Sequence, residues 1–247
     1  MAFHLKVSNS LEQLAERLCS DLNSTQKTAF QPDYIITQTE GMNNWLKMQM
    51  AERNGISANC KFLKPNDIIN QIHYLLSGSF NQSLSADNLN WLLFKLLAED
   101  EFVNKYPAIA AYYINESPDR DVKRMALAEK VADLFDQYQI YRQDMIHNWN
   151  ENQVGGVADT EWQKELWLKA AELAGENFPD KTIISKNIKA ALSNPDNITR
   201  LTQKMPVIYL FGISLVTSYH LEIFEQLAKH IDIHFLMLKH FLAKYEF

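Results

Sequence analysis

The sequence predicts an α/β protein in which a parallel sheet, built from both ends of the chain, carries an inserted all-helical subdomain. Three observations lead to this fold class. The N-terminal third alternates strand-like and helix-like segments. A nearly continuous apolar run at Val207–Ile213, typical of a parallel strand covered on both faces, precedes a helix and a second strand-like run. Between these two regions, from about Leu84 to Ala174, no convincing strand pattern occurs.

The N-terminal elements follow from apolar spacing and from residues that start or stop helices. Phe3–Ser8 alternates apolar and polar residues, which predicts a strand. Ser10 is the expected N-cap of the helix that follows, with Gln13 as its capping-box partner. The further elements predicted here are a strand at Tyr34–Thr37, a helix at Met42–Arg53 ended by Asn54-Gly55, an extended segment within Ile56–Leu63, and a helix at Ile68–Leu76 that begins near Pro65 and Asp67.

The remaining elements divide into a helical block and a C-terminal strand–helix–strand unit. In the block, apolar spacing predicts a helix at Leu89–Leu97 and a long helical run over Val122–Trp149 with a break near Gln143. After Val207–Ile213, an amphipathic helix is expected at Thr217–His230 and a parallel strand at Asp232–Leu238. We therefore expect residues 1–83 and 200–247 to form the α/β subdomain and residues 84–199 to form the helical insertion.

Composition and charge narrow the class of protein. Hydrophobic residues make up 47% of the 247 residues and charged residues 22%, which is ordinary for a globular chain. The 24 Lys and Arg against 30 Asp and Glu give a net charge of −6, which argues against a free-standing, non-specific DNA-binding protein but not against a DNA-handling part of a larger assembly.

Two cysteines cannot form a disulfide framework. Without a signal peptide or a run of about 20 apolar residues, the chain is expected to be cytoplasmic and free of membrane spans.

The first strand–turn–helix lacks the chemistry of a nucleotide site. Its turn, Ser8-Asn9-Ser10, contains neither glycine nor lysine, and the chain has no G-x-x-x-x-G-K-[ST] motif. The sequence also lacks the spacings of His and Cys that are typical of metal sites. His230 and His234 are four residues apart, but a predicted strand begins between them, so they do not share a helix face. Asp133 and Asp136 are three residues apart on a predicted helix and share a face. That pair suits metal or acid–base chemistry, or simply a solvated polar face.

Arg142 follows Tyr138 by four residues and Phe135 by seven, so helical spacing puts it within an apolar stripe that also includes Val131, Leu134 and Tyr141. A charge in such a stripe must pair with a carboxylate, extend to water or meet a ligand phosphate. The sequence leaves these three possibilities open.

Four blocks of sequence resemble the RecC family, the gamma chains of exodeoxyribonuclease V. They are QTEGMNNWL at 38–46 with GISAN at 55–59, ADLFDQYQIYR at 132–142, FGIS at 211–214 and KHIDIH at 229–234. The blocks occur in family order over nearly the whole chain, and none of them is a common motif. The resemblance is therefore specific.

The resemblance implies the fold of a superfamily 1 helicase that has lost its nucleotide site, that is, a P-loop-type fold without a functional P-loop. The α/β part would be subdomain 1A and the helical insertion subdomain 1B. The chain would have no catalytic site, metal or cofactor, with ATP and Mg²⁺ on RecB-like beta and RecD-like alpha partner subunits. In the family, the gamma subunit acts in double-strand-break repair and recombination. It helps to split duplex DNA ends and guides the 3′-ended single strand through a channel, which in some members recognises the Chi sequence.

Residue by residue, the resemblance implies that Gln38, Asp133, Leu134, Asp136 and Arg142 contact single-stranded DNA in that channel. Four other channel positions depart from the family pattern, so the recognised DNA sequence stays open: Glu40, Asn44, Lys64 and Asn70. The sequence after Leu238 departs as well, and we expect this chain to match an N-terminal portion of a gamma chain. Two alternatives remain, namely an interaction module of the same complex without direct DNA contact, and an enzyme that uses Asp133 and Asp136 as a metal pair.

Overall fold

The computed structural model describes residues 2–24, 30–78, 83–114, 118–151, 160–214 and 216–239. The chain divides into two compact units. The α/β unit comprises Met1–Gly78 and Asn187–Phe247, and the helical unit comprises Ser79–Lys186. The sequence-based boundaries at 83/84 and 199/200, and the assignment to subdomains 1A and 1B, stay predictions. The divergent C-terminal segment at 240–247 lies outside the described residues.

A five-stranded, all-parallel sheet forms the centre of the α/β unit, which confirms the predicted α/β class and parallel pairing. Its strands are β1 (Phe3–Ser8), β2 (Asp33–Ile36), β3 (Cys60–Leu63), β4 (Val207–Phe211) and β5 (Asp232–Leu238). Their spatial order is β1-β5-β4-β2-β3, so the two strands from the C-terminal part of the chain, β5 and β4, lie between β1 and β2 of the N-terminal part. In the middle of the sheet, Leu210 of β4 lies between Ile36 of β2 and Phe235 of β5, and all three are buried.

The predicted bounds of β1 and β5 are confirmed, whereas three other strand predictions need correction. The strand expected at Tyr34–Thr37 begins and ends one residue earlier. The strand expected over Val207–Ile213 ends at Phe211, because Gly212 adopts a left-handed backbone conformation with a φ of 62°. The extended segment in Ile56–Leu63 is limited to β3, since Asn59 before it has a positive φ of 56°.

Helices pack on the sheet through the apolar faces that their spacing predicts. The helices of this unit are α1 (Leu11–Ser24), α2 (Glu40–Asn54) and α3 (Pro65–Ser77) in the N-terminal part. On one face of the sheet, the buried Leu18 of α1 and Leu46 of α2 belong to the same core cluster as Phe211 and Leu236 of the sheet. Helix α2 ends at Gly55, which has a φ of 74°, as the Asn54-Gly55 pair predicted.

The helical unit contains no strand among its described residues, as the sequence predicted. Its helices are α4 (Ala86–Leu96), α5 (Asp100–Lys105), α6 (Pro107–Ala110), α7 (Arg120–Tyr141), α8 (Gln143–Asn150) and α9 (Glu161–Ala174). The predicted break near Gln143 is confirmed and lies at Arg142. Phe135 of α7 forms edge-to-face contacts with Trp149 and Trp167, at ring-centroid distances of 6.3 and 5.5 Å, in the middle of this core.

The remaining helices are α10 (Lys181–Ala191), which contributes residues to both units, and α11 (Pro195–Lys204) and α12 (Ser218–Ala228) of the α/β unit. Helix α12 connects β4 to β5, which confirms the predicted strand–helix–strand unit. Within the described ranges, every helix is too short or too polar to cross a bilayer.

The end strand β1 has two different faces. Lys6 points towards α1, where its ammonium group pairs with the carboxylate of Asp21. The alternate side chains of Phe3, Leu5 and Val7 lie on the opposite face and remain 40, 55 and 39% exposed. One edge of the sheet therefore presents apolar side chains to solvent.

Candidate nucleic-acid interface

The turn after β1 is filled by its own side chains. The Ser8 hydroxyl accepts a hydrogen bond from the amide of Ser10 (3.1 Å) and donates one to Oε1 of Gln13 (2.7 Å). Ser10 caps α1 as predicted, because its Oγ accepts from the amide of Gln13 at 3.2 Å. The expected capping box is wrong in one detail, since the Gln13 side chain bonds to Ser8 and not to the backbone of Ser10.

A carboxylate also lies in the first turn of α1. The Ser10 hydroxyl donates to Glu12 Oε2 at 2.7 Å, and this bond, followed by one from the backbone, lowers the pKa of Glu12. Glu12 is therefore ionised near neutral pH and offsets the partial positive charge of the helix N-terminus. A nucleotide triphosphate needs glycine amides and a lysine at this place. The residues present do not fit such a group.

The carboxyl end of the sheet has a topological switch point between β2 and β4. The connection from β2 leads to β3 on one side, and the connection from β4 leads to β5 on the other side. Open parallel sheets bind ligands in the crevice outside such a point. Gln38 follows β2 at this crevice and Ser214 follows β4, and the Ser214 hydroxyl donates to Gln38 Oε1 at 3.1 Å. Gln38 was predicted from the sequence, whereas Ser214 was not, because only the pairing of β2 with β4 brings Ser214 close to Gln38.

Local contacts fix the backbone around Gln38. The Thr39 hydroxyl caps α2 by accepting from the amide of Met42 at 3.2 Å. Thr37, which is buried, donates its hydroxyl hydrogen to Oδ1 of the buried Asn43. Across the crevice, Gly212 lies beside the side chain of Met42, and its φ of 62° is the feature that favours glycine in the turn after β4.

Three of the other predicted DNA-contacting residues lie on the C-terminal half of α7. Asp133 is exposed, Leu134 is partly buried, and the Asp136 side chain is 28% exposed. The Asp136 carboxylate accepts from Nζ of Lys181 at 2.5 Å, and the Lys181 side chain is only 3% exposed. Asp136 is thereby held in one orientation, whereas Asp133 is not restrained in this way.

The Lys181–Asp136 ion pair is connected to a buried amide. The backbone amide of Lys181 donates to Oε1 of Gln139 (3.0 Å), and Nε2 of Gln139 donates to the carbonyl of Leu84 (3.1 Å). Gln139 is fully buried in the helical unit. Neither Gln139 nor Lys181 was predicted from the sequence as a functional residue. A signal was present for Gln139, because it lies four residues after Phe135 on the buried face, where a polar group needs partners.

Arg142 does not lie within a buried apolar stripe, which corrects the sequence analysis. Tyr141 is 63% exposed, and Arg142 is exposed at the junction of α7 and α8. The predicted stripe required continuous helical spacing as far as Arg142, but the backbone leaves the helical conformation at Arg142 with φ −133° and ψ 48°. The Arg142 guanidinium lies over the ring of Tyr138, 5.2 Å from its centroid.

The metal-pair alternative is not supported by the geometry around Asp133 and Asp136. Asp136 is already neutralised by Lys181, so a cation would have to displace an ammonium group. In the part of the chain that the structure describes, no group of three or more His, Cys, Asp or Glu side chains could hold a metal ion.

The predicted DNA-contacting residues thus form two separate sets. Gln38 belongs to the α/β unit, and Asp133, Leu134, Asp136 and Arg142 belong to the helical unit.

Comparison with known proteins identifies the family. The family model described as RecC, N-terminal domain, matches residues 3–244. The chain is similar to RecBCD enzyme subunit RecC of Haemophilus influenzae, with 27% identity over 94% of this chain and 23% of the relative. RecBCD enzyme subunit RecC of Escherichia coli K12 is 28% identical over 84% of this chain and 19% of its own length. That of Mycolicibacterium smegmatis is 25% identical over 97% of this chain and 21% of its own length.

The chain therefore spans about a fifth of the length of these curated relatives. The family match covers both units of the structure and all five predicted DNA-contacting residues. The chain belongs to the RecC N-terminal domain family.

Proposed function

We propose that this chain is the N-terminal part of a RecC-like gamma subunit of exodeoxyribonuclease V and serves as a DNA-binding scaffold. Its relatives are named as subunits of the RecBCD enzyme, which supports RecB-like beta and RecD-like alpha subunits as its partners. In such a complex it would help to split duplex DNA ends and guide the 3′-ended single strand during double-strand-break repair. A cytoplasmic location follows from this role.

The observation that carries the proposal is the side-chain chemistry at the C-terminal end of α7. A carboxylate acceptor at Asp133 and a guanidinium at Arg142 are both exposed there. Carboxylates accept hydrogen bonds from base amino groups, whereas a guanidinium binds phosphate with two parallel hydrogen bonds or stacks on a base. Single-stranded nucleic acid offers both kinds of partner in neighbouring positions.

The Lys181–Asp136 pair adds a second acceptor with defined orientation. Lys181 bonds Oδ1 of Asp136, and the Asp136 side chain remains 28% exposed, so the carboxylate can still accept a hydrogen bond from a ligand. Neutralisation by Lys181 also reduces the repulsion that a carboxylate would exert on a phosphate backbone. This arrangement supports sequence-dependent contacts of the Chi type, with the preferred sequence unspecified.

The proposed role in this chain is non-catalytic. The turn Ser8-Asn9-Ser10 and the carboxylate of Glu12 do not suit a triphosphate. We therefore assign ATP and Mg²⁺ to the partner subunits, so that this chain would handle DNA that other subunits move and cleave.

An interaction module without DNA contact is the second candidate, and one feature of the helical unit favours it. A groove of about 210 Å³ lies between α4 and α9, and its lining includes Trp91, Leu173 and Phe178. Trp91 is 66% exposed and Leu173 46% exposed. Among the described residues that line it, Asn88 is the only polar one and none is cationic, so the groove suits an apolar side chain of a protein partner and not a phosphate backbone.

Salt-dependent binding of single-stranded DNA separates the two candidates. In the 247-residue chain, Arg142→Ala should weaken binding to all sequences, and the slope of log affinity against log salt should become shallower by about one unit. Lys130→Ala is the matched control, because Lys130 is an exposed cation on the same helix, about 18 Å from Arg142. Titration of a fluorescently labelled oligonucleotide over a salt series measures both quantities.

Asp133→Ala and Asp136→Ala should instead change which oligonucleotide is preferred. If Arg142→Ala leaves affinity and salt slope unchanged while Trp91→Ala abolishes co-purification with the beta and alpha chains, the interaction module is the correct function.

A further inference from the structure

Arg142 is fixed at the backbone by the helices on both sides of it. Its amide donates to the carbonyl of Tyr138 at 2.9 Å, which is the last turn of α7. Its carbonyl accepts from the amides of Met145 (3.0 Å) and Ile146 (3.1 Å), which open α8. The Cα of Arg142 therefore cannot move without breaking hydrogen bonds of one helix or the other.

The side chain of Arg142 has a platform as well. Its guanidinium carbon lies 5.2 Å from the centroid of the Tyr138 ring, within the range of a cation–π contact. Because a guanidinium is planar, one of its faces can pack on the ring while its other face and its N–H groups stay available to a ligand.

Tyr138 is itself held from several directions. Its hydroxyl donates to Oε1 of Gln163 on α9 at 3.2 Å. Its ring makes an edge-to-face contact with Trp149 on α8 (centroids 6.1 Å apart, planes at 78°) and lies 6.3 Å from the ring of Phe135. Three helices thus determine where the ring lies.

We infer that Tyr138 is the positioning residue for Arg142: its ring holds the guanidinium ready to engage single-stranded DNA, without touching the DNA itself. The inference rests on the proposed function. A long arginine side chain that is already ordered loses less conformational freedom when it binds. The packing of the helical core thereby contributes to DNA affinity through one side chain.

A double-mutant cycle on the 247-residue chain tests this role, with affinity for a labelled single-stranded oligonucleotide as the readout. Tyr138→Leu should weaken binding by about two- to fivefold, the value of an exposed cation–π contact. In the Arg142→Ala background the same change should have no effect, because the group that the ring positions is gone. Tyr138→Phe should bind as tightly as the unsubstituted chain, since it keeps the ring and loses only the bond to Gln163.

Two further variants separate positioning from general stability. Phe94→Leu is the matched control, because Phe94 makes the same kind of contact in the same unit: the guanidinium carbon of Arg124 lies 4.2 Å from the centroid of the Phe94 ring. It should leave DNA affinity unchanged even if thermal unfolding occurs earlier. Tyr138→Met is measured in parallel, because the flexible methionine side chain fills the space of the ring. If Tyr138→Leu fails to fold, Tyr138→Met still tests the role of the ring.

The outcomes distinguish this inference from the function on which it rests. The inference is wrong if Arg142→Ala weakens binding but neither Tyr138→Leu nor Tyr138→Met does. It is also wrong if the two Tyr138 variants weaken binding equally in the Arg142→Ala background, because Tyr138 would then be a structural residue. If the unsubstituted chain does not bind single-stranded DNA at low salt, the proposed function fails first.

Discussion

At the scale of single residues, the contrast between Asp133 and Asp136 gives a stability prediction. Removing Asp136 leaves the buried ammonium of Lys181 without its counter-ion, whereas Asp133 is exposed. We expect Asp136→Ala to lower the free energy of unfolding by about 2 kcal/mol, below the usual cost for a fully buried pair because Asp136 is partly solvated. Asp133→Ala should change it by less than about 0.5 kcal/mol. Urea denaturation of both variants measures the difference, and equal effects would contradict the structural role assigned to the pair.

At the scale of elements, the first turn of α1 determines whether the α/β unit binds a nucleotide. The hydroxyl of Ser10 and the carboxylate of Glu12 occupy the helix end at which phosphate would otherwise bind. We expect calorimetric titration of the chain with ATP and Mg²⁺ to give no binding heat. Glu12→Gln should not create binding, because the turn still lacks lysine and glycine. Micromolar affinity that disappears when Ser8-Asn9-Ser10 is substituted would show the prediction wrong.

The strands and helices that have a clear apolar pattern were predictable from the sequence, but the residues at which they end were less predictable. Alternation in β1 and the apolar run of β4 identified strands, but the end of β4 depends on the left-handed conformation of Gly212. The break between α7 and α8 was predictable, whereas the exposure of Arg142 was not, because one non-helical residue changes the direction of the side chain. Contacts between residues distant in sequence, such as Ser214 with Gln38 and Lys181 with Asp136, depend on tertiary packing and carry no local pattern.

At the scale of the whole molecule, buried histidines make stability depend on pH. Burial lowers the pKa of His73. Burial also lowers the pKa of His234, and the charge of Lys6 lowers it further, whereas the carboxylate of Asp21 opposes this shift. His4, Asp232 and the Tyr209 ring also face His234. Both histidines belong to the α/β unit. In the unfolded chain these histidines become protonated near pH 6.5, whereas in the folded chain their protonation requires a lower pH. Stability should thus be fully present above about pH 6.5 and decline as the pH falls below that value towards the lowered pKa values of the folded state.

Urea unfolding at a series of pH values checks this dependence. His73→Leu should flatten the decline, because it removes one of the groups that must be protonated on unfolding. His147→Leu is the matched control, since His147 is an exposed histidine of the helical unit. Identical pH profiles for the unsubstituted chain and the His73 variant would contradict the prediction.

The two faces of β1 bear on how the chain behaves at high concentration. Among the described residues β1 pairs with a strand on one side only, so one row of its backbone amides and carbonyls has no partner strand there, and this row lies beside the exposed side chains of Phe3, Leu5 and Val7. Proteins usually protect such edges with lysine, proline or a very short strand. The opposite edge, β3, has only four residues and carries Lys61, whereas β1 has six residues and no proline, and its Lys6 is paired with Asp21 on the side of α1. Intermolecular strand pairing and aggregation are therefore favoured at β1 over β3, and folding intermediates that expose β1 early are the species most prone to misassembly.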